Sequence, residues 1–187
     1  MIKYIGEAEK YVEITGFRKV TLSNKEEFLN AVRPCRKELA LQFFNADLIC
    51  TWEHLYFAAL NALTAFQTHT NISKSLDMEM LLYASTQHQI RKAIALVGIK
   101  SNSTNIAIAT IGPNSHFTEE TVSRVSSLVK CEPDDSVLEL TQEKTTSIKR
   151  AFQITEKEIE SVVTNNDLNQ ALVDLVIERM ALLPTQI

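Results

Sequence analysis

The stretch from Asn45 to Ile90 constrains the fold more than any other part of the chain, because its pattern indicates two helices joined by a short polar loop. In its first half, apolar residues recur at alternating spacings of four and three, which is the period of one face of an α-helix. These residues are Leu48, Trp52, Leu55, Ala59, Ala62 and Phe66. Further apolar residues widen this stripe, so the sequence predicts a helix that the rest of the protein encloses.

The polar loop that follows His69 leads to Ser75, which we expect to be the N-cap of the second helix. The positive charge of Lys74 is unfavourable beside the exposed N–H groups of a helix start, which also carry partial positive charge, unless an anion binds there. A lysine among hydroxyl groups at such a start predicts a site for a phosphate or a carboxylate. The alternative is a lysine that points into water, since exposed charges contribute little to stability.

The second helix carries two apolar registers and is expected to end at Gly98. Leu81 and Leu82 belong to the first register. The second consists of residues spaced i, i+4, i+7 and i+11, namely Tyr83, Gln87, Ile90 and Ile94. A long helix with two usable faces can contact the core and a protein partner at once. The alternative is a break near residues 85–87 that turns both halves toward one core.

Several segments have the composition of β-strands. They are residues 2–5, 10–21 with a bend at Gly16, 39–44, 106–111 and 136–140. Residues 106–111 lack the alternation of a half-exposed strand, which predicts a central strand buried on both faces. Strands interspersed with helices, with few regular β-α-β units, favour an α+β fold. We expect one domain over residues 1–187, with a small mixed, mostly antiparallel sheet and helices packed on its faces.

Capping boxes mark two helix starts, Ser23 with Glu26 and Thr155 with Glu158. The first of these helices should end before Pro34. A final helix is predicted from Leu168 to Leu183, with apolar residues on more than one side. An exposed excess of apolar surface marks a protein interface, so this helix is a second candidate for docking a partner.

The charge of the chain limits how it could contact nucleic acid. The formal net charge is −4, whereas proteins whose whole surface grips nucleic acid are usually basic. Residues 1–100 carry 12 basic and 10 acidic side chains, and residues 101–187 carry 7 and 13. Any contact with an anion should therefore be local and lie in the first half of the chain.

The sequence offers little for catalysis or metal binding. Its three cysteines and four histidines are scattered, which predicts neither a disulfide framework nor a metal site. Phosphate-cradling glycine loops and nucleophile motifs are absent, so we expect a binding protein without enzymatic activity or cofactor. His54 is expected to be a packed histidine, with a general base as the other interpretation. No run of 18 apolar residues occurs, so we expect a cytoplasmic protein, or a nuclear one in a eukaryote, without membrane contact.

Three segments resemble a known family: FNADLI with the following W-E-HL-FAA-NAL-AF pattern, NISKSLDMEMLLYAS-QHQI, and the C-terminal ERMALL. In these segments the sequence is similar to the kinase-binding regulatory subunits of the KEOPS (EKC) complex, the family of the PRPK-binding protein. The resemblance implies a small sheet with helices on its faces. It also implies a non-enzymatic subunit that docks directly on an atypical kinase/ATPase and reaches the threonylcarbamoyl transferase subunit through that kinase. This complex modifies an adenosine beside the tRNA anticodon, and the family captures the single-stranded 3′ CCA end of tRNA.

The resemblance places RNA contacts on the segment where the anion site is predicted. The expected tRNA-binding residues are Asn71, Ser73, Lys74, Ser75, His88 and Arg91. His88 stands where the family often has arginine, so a phosphate contact there should be weaker and dependent on pH. For the kinase we expect the second register, from Tyr83 to Ile94, with the last helix as the competing surface.

Two other functions remain open at this stage. One is a small-molecule-binding or transferase domain that uses His54 and Glu53 in a pocket. The other is a scaffold that binds the kinase without contacting RNA.

Overall fold

A computed structural model describes residues 1–22, 24–32 and 38–185. Its sheet has four strands in the order β1-β2-β4-β3. The strands are β1 (Ile2–Ile5), β2 (Lys10–Phe17), β3 (Ala40–Asn45) and β4 (Ile106–Gly112). Every neighbouring pair is antiparallel, so the α+β class is confirmed and the sheet is antiparallel where a mixed one was expected.

Eight α-helices lie within the described residues. They are α1 (Lys25–Val32), α2 (Trp52–Gln67), α3 (Leu76–Ser85), α4 (Ile90–Val97), α5 (Ser115–Val129), α6 (Gln142–Phe152), α7 (Glu156–Val162) and α8 (Leu168–Ala181). Short 3₁₀ turns occur at Gly6–Ala8, Ala46–Leu48, Asp135–Leu138 and Leu183–Thr185.

The central strand β4 is buried along its whole length, as predicted. It pairs with β2 on one side and with β3 on the other. Its side chains alternate between two separate apolar cores. Ala107 and Ala109 face the core that holds α2, α3 and α8, whereas Ile106 and Ile108 face the core that holds α5. Helices therefore cover both faces of the sheet.

Helix α2 is the enclosed helix that the sequence predicts, although it begins at Trp52 and the preceding residues Ala46–Leu48 form a 3₁₀ turn. It packs against α3, α8 and the sheet. Ala58, Ala59 and Ala62 are fully buried, and their small side chains let these neighbours approach the helix backbone closely. The helix is therefore a central part of the larger core.

The predicted last strand is wrong, because Asp135–Leu138 form a 3₁₀ turn. The Asp135 carboxylate accepts hydrogen bonds from the Thr15 hydroxyl at 2.6 Å and from the Gly16 backbone N–H at 3.3 Å. These bonds fix the turn against β2. Gly16 lies inside that strand, and the pairing with β4 continues through it without interruption. Its missing side chain leaves room for the turn, since a Cβ there would overlap Val137 Cγ2.

The capping box at the start of α7 is confirmed. The Glu158 carboxylate accepts a hydrogen bond from the Thr155 backbone N–H at 2.7 Å, and the Glu158 N–H donates to the Thr155 hydroxyl at 3.3 Å. Ile154 and Ile159, which flank this box, are both buried in the larger core. Ser23 of the other predicted capping box and Pro34 lie outside the described residues. The cap visible at that helix, α1, is Asn24, whose side-chain oxygen accepts from the Glu27 N–H at 3.2 Å.

Helix α8 uses its apolar surface mostly inside the protein. Of the three apolar residues outside its main stripe, Val173 and Met180 are buried in the larger core, and Ile177 is half-buried against it. The exposed apolar side chains Leu168 and Leu182 lie at and just beyond its two ends. Arg179 links the helix to its neighbours by donating to the Phe152 carbonyl and, at 2.6 Å, to the Glu158 carboxylate. The apolar surface that α8 leaves exposed is therefore small, and docking of a partner on this helix stays a prediction.

We predict that Gly16→Ala destabilises the protein by about 1–3 kcal/mol, the usual range for a side chain forced into a filled space. The added methyl group would collide with Val137, and the Asp134 carbonyl also lies 3.1 Å from its position. Urea unfolding measures the change in the free energy of unfolding. Gly6→Ala is the matched control, because a Cβ there meets only Tyr4 at 4.0 Å. Equal stability of the two variants would contradict the packing of the turn on β2.

Candidate functional site

The loop before α3 is shaped by a buried carboxylate. Glu79 is fully buried, and its two oxygens accept hydrogen bonds from the backbone N–H groups of Ile72 at 3.0 Å and Ser73 at 2.6 Å. The Asn71 amide donates to the Ser73 carbonyl, and the Ser73 hydroxyl donates to the Ser75 carbonyl, both at 2.8 Å. The loop is thus folded back onto the helix that follows it. Sequence analysis did not find this anchoring role of Glu79.

These contacts leave Lys74 and Ser75 available to a ligand. Both residues are exposed, and Lys74 makes no hydrogen bond or ion pair with another described residue. Ser75 is the N-cap residue, as predicted, but its side chain accepts no hydrogen bond from α3. The first N–H groups of α3 therefore lack a side-chain cap. Asn71 and Ser73, in contrast, use their side chains inside the loop.

His88 and Arg91, the other two predicted RNA-binding residues, lie at the opposite end of α3. This helix has 10 residues, so its two ends are about 15 Å apart. Arg91 is exposed on α4, while His88 is half-buried with Nε2 lacking a partner among the described residues. The structure thus brings Asn71, Ser73, Lys74 and Ser75 together and separates His88 and Arg91 from them.

The prediction of one long helix with two usable faces is wrong. The alternative, a break near residues 85–87, is confirmed. The N–H groups of Thr86 and Gln87 donate to the carbonyls of Tyr83 at 3.0 Å and Leu82 at 3.1 Å. These bonds form a Schellman motif that ends α3, with Thr86 in the left-handed conformation at φ 53°. The chain then starts a separate helix, α4, at Ile90.

The break divides the four predicted kinase-binding residues. Tyr83 is buried, and this burial raises the pKa of its hydroxyl. Gln87 is half-buried in the connection between the helices. Ile90 and Ile94 are exposed on α4, with 42% and 41% of their surface accessible, and they are neighbours at i and i+4. Only these two isoleucines form a continuous apolar surface.

Helix α4 presents this surface beside positive charge. Ala93 and Val97 are buried on its inner side, which holds the helix in place. Arg91 and the following Lys92 are exposed, and the segment IRKAIALV contains no acidic residue. The adjacent Arg-Lys pair is a signal that sequence analysis could have used, and Lys92 was missed. Arg91 thus lies beside the two isoleucines on the helix surface, whereas Lys92, two positions from each of them, lies on the opposite side.

His54 is a packed histidine and cannot act as a general base on an external substrate. It is fully buried, and its Nδ1 accepts a hydrogen bond from the Cys50 backbone N–H at 3.2 Å. Nε2 therefore carries the proton and donates to the Ala84 carbonyl at 2.8 Å. Burial lowers the pKa of His54 to about 4. The alternative that pairs His54 with Glu53 in a reactive pocket is contradicted by this burial.

The remaining sites for reactive or metal chemistry are few. Cys50 is buried, which raises its pKa to about 12. Cys35 lies outside the described residues. Across the parts of the chain that the structure describes, no three His, Cys, Asp or Glu side chains come together as metal ligands. Within the same ranges, no helix has the length and apolar composition needed to cross a membrane.

The chain is similar to known kinase-binding and regulatory proteins. The model of the family described as kinase binding protein CGI-121 matches residues 17–184. A similar relative is the regulatory protein Cgi121 of Methanocaldococcus jannaschii, 35% identical over 116 residues, which are 62% of this chain and 72% of the relative.

We predict that protonation of His54 destabilises the protein in acid. Its pKa is about 4 in the folded state and ordinarily 6.5, so the unfolded chain binds more protons between these values. This group should remove about 1.4 kcal/mol of stability per pH unit as the pH falls from about 6 to 4. Urea unfolding at several pH values measures the loss, and NMR titration of the imidazole protons identifies the group, with the exposed His69 as reference. A His54 resonance that titrates near pH 6.5 would contradict the prediction.

Proposed function

The chain belongs to the kinase binding protein CGI-121 family, and on that premise we propose that it is a non-enzymatic subunit of the KEOPS tRNA threonylcarbamoyladenosine-modification complex. It binds and regulates the atypical kinase/ATPase of that complex and contacts the transferase subunit only through the kinase. It also captures the 3′ CCA end of tRNA. The observation that carries the proposal is the exposed pair Ile90 and Ile94 on α4.

Helix α4 is the better docking surface of the two that the sequence suggested. Burial of an isoleucine side chain contributes about 1.5–3 kcal/mol, so two adjacent isoleucines provide a substantial apolar anchor. The exposed apolar ends of α8 are Leu168 and Leu182, which 14 helical residues hold about 20 Å apart. They cannot enter one pocket of a partner together. We therefore assign the kinase contact to α4, with Ile90 and Ile94 at its centre.

Arg91 and Lys92 add a charge preference to this surface. Arg91 is exposed beside the isoleucine pair, so a partner with acidic residues around an apolar pocket is favoured. Lys92 is two positions from each isoleucine and lies on the opposite side of the helix, so it contributes only at longer range. Tyr83 supports α4 from the core and does not contact the kinase directly. Gln87, which is half-buried at the helix break, lies at the margin of the contact.

The open start of α3 supports the RNA contact. The unpaired N–H groups of a helix start attract phosphate, and Lys74 supplies a full positive charge beside them. The Ser75 hydroxyl is free to bind a phosphate or a ribose. This contact is local, which is compatible with the net negative charge of the chain. Arg91 directly follows Ile90, so a kinase bound to α4 would cover it. We therefore expect Lys74 to contribute more of the affinity for RNA than Arg91 does.

For the kinase contact, we predict that Ile90→Glu weakens binding by about 2–4 kcal/mol, because it places a charge in the middle of an apolar interface. The variant should fold, since 42% of the Ile90 surface is already exposed. Calorimetric titration with the purified kinase measures the loss. Ile72→Glu is the matched control, because Ile72 is an isoleucine of the same exposure, 42%, on the loop before α3. A folded Ile90→Glu variant with full affinity would exclude α4, and loss of binding in Leu182→Glu instead would assign the contact to the end of α8.

For the RNA contact, we predict that Lys74→Glu weakens tRNA binding and makes the slope of log affinity against log salt shallower by about 1, as expected when one phosphate contact is lost. The effect should disappear with tRNA that lacks its CCA end. Filter binding at several salt concentrations measures both quantities. Lys100→Glu is the control, since Lys100 is an exposed lysine of the same half of the chain. Equal affinity of Lys74→Glu and the unchanged protein for both RNAs would leave a kinase-binding scaffold without RNA contact.

A further inference from the structure

A polar cleft of about 390 Å³ lies away from both proposed surfaces. It is formed where the end of β2, the 3₁₀ turn after β3, the residue before β4 and the start of α6 meet. Its charged and amide side chains are Arg18, Asp47, Asn105, Glu139, Glu143 and Lys144, and Glu143 is exposed. Its volume falls in the range of sites for small molecules.

Lys144 provides a buried cation in this cleft. Only 8% of its surface is exposed, and its Nζ donates a hydrogen bond to the Val137 carbonyl at 2.8 Å. An ammonium group has three donors, and one of them has an acceptor among the described residues. Lys144 also forms no ion pair with a described carboxylate. A buried ammonium group with one acceptor and no ion pair lowers the stability of the fold, so an acceptor or an anion from a ligand would stabilise it.

The surroundings of Lys144 disfavour its charged form. Burial lowers its pKa to about 8, whereas an anion bound at Nζ would favour the protonated form. The carboxylates of Asp47 and Glu139 are near enough to act on Lys144 electrostatically, but both residues are exposed. Water therefore competes for them at the mouth of the cleft, and they leave the deep end without a counter-ion.

The mouth of the cleft has a different character from its deep end. Arg18 is held there by hydrogen bonds to the Asp134 carboxylate at 2.9 Å and the Ser136 hydroxyl at 2.7 Å. Asp47 accepts a hydrogen bond from the Asn105 amide at 3.1 Å, which fixes its carboxylate. The mouth therefore presents the held carboxylate of Asp47 and the exposed carboxylate of Glu139 to a ligand, while the deep end presents an ammonium group.

We propose that this cleft binds a small amino acid or hydroxy acid, with the ligand carboxylate on Lys144 and its amino or hydroxyl group toward Asp47 and Glu139. A simple carboxylate would satisfy Lys144 alone. A simple amine would satisfy the mouth and leave Lys144 unpaired. This site is independent of the kinase and RNA contacts, since none of their residues lines the cleft.

Calorimetric titration and thermal unfolding with three probes test the site: L-serine, acetate and ethanolamine. L-Serine should bind and raise the unfolding temperature, acetate should bind at least about tenfold more weakly, a difference of about 1.4 kcal/mol, and ethanolamine should not bind. Lys144→Met should abolish serine binding, because it removes the ammonium and keeps a similar apolar length. Lys157→Met is the control, since Lys157 is exposed on α7.

A second measurement needs no variant. NMR of the lysine Cε–H groups follows the titration of Lys144, and bound serine should raise its pKa because an anion stabilises the charged form. Absence of serine binding, or serine binding that survives Lys144→Met, would refute the proposal. Equal binding of acetate and serine would refute the role of the mouth carboxylates and hence the ligand class.

Discussion

The burial of β4 on both faces is the constraint on which the rest of the structure depends. A strand whose alternate side chains enter two cores requires helices on each side of the sheet. Helices α2, α3 and α8 contribute to one core, and α3 in particular is buried without interruption from Glu79 to Ser85. The surfaces proposed for RNA and for the kinase, the loop before α3 and the exposed part of α4, are among those that this packing leaves outside.

The loop before α3 shows how an interior charge arranges an exterior site. A buried carboxylate is tolerated only when its oxygens are hydrogen-bonded, and the two backbone N–H groups of Ile72 and Ser73 satisfy Glu79. The same bonds determine which loop residues face inward. Ser73 is turned into the protein, and the next residue, Lys74, is left exposed beside the open helix start. The exposed position of Lys74 thus follows from the hydrogen bonds that the loop backbone donates to Glu79.

Sequence patterns predicted the parts of the fold that follow hydrophobic periodicity. The uninterrupted apolar run of β4, the stripe of α2 and the N-cap at Ser75 all depend on local chemistry, and all three are found. The end of α3 was ambiguous because a threonine, Thr86, occupies the left-handed position where glycine usually signals a stop. The 135–138 turn was mistaken for a strand because its valine and leucine are buried by long-range packing on β2. Lys144 gave no signal, since burial of a lysine on an otherwise polar helix start depends on tertiary contacts.

The break at Thr86 also determines how the two proposed surfaces relate to each other. Because α3 is packed along most of its length, it acts as a rigid spacer of about 15 Å between Lys74 at its start and the connection to Ile90 at its end. A partner bound to α4 and an RNA end bound at Lys74 would therefore be placed by fixed geometry, without a conformational change inside this chain. Direct contact between the two ligands, and Arg91 beside Ile90 at the border of the kinase surface, are the simplest routes for coupling between them. This arrangement favours a subunit that positions an RNA end relative to the kinase over one that switches state when either ligand binds.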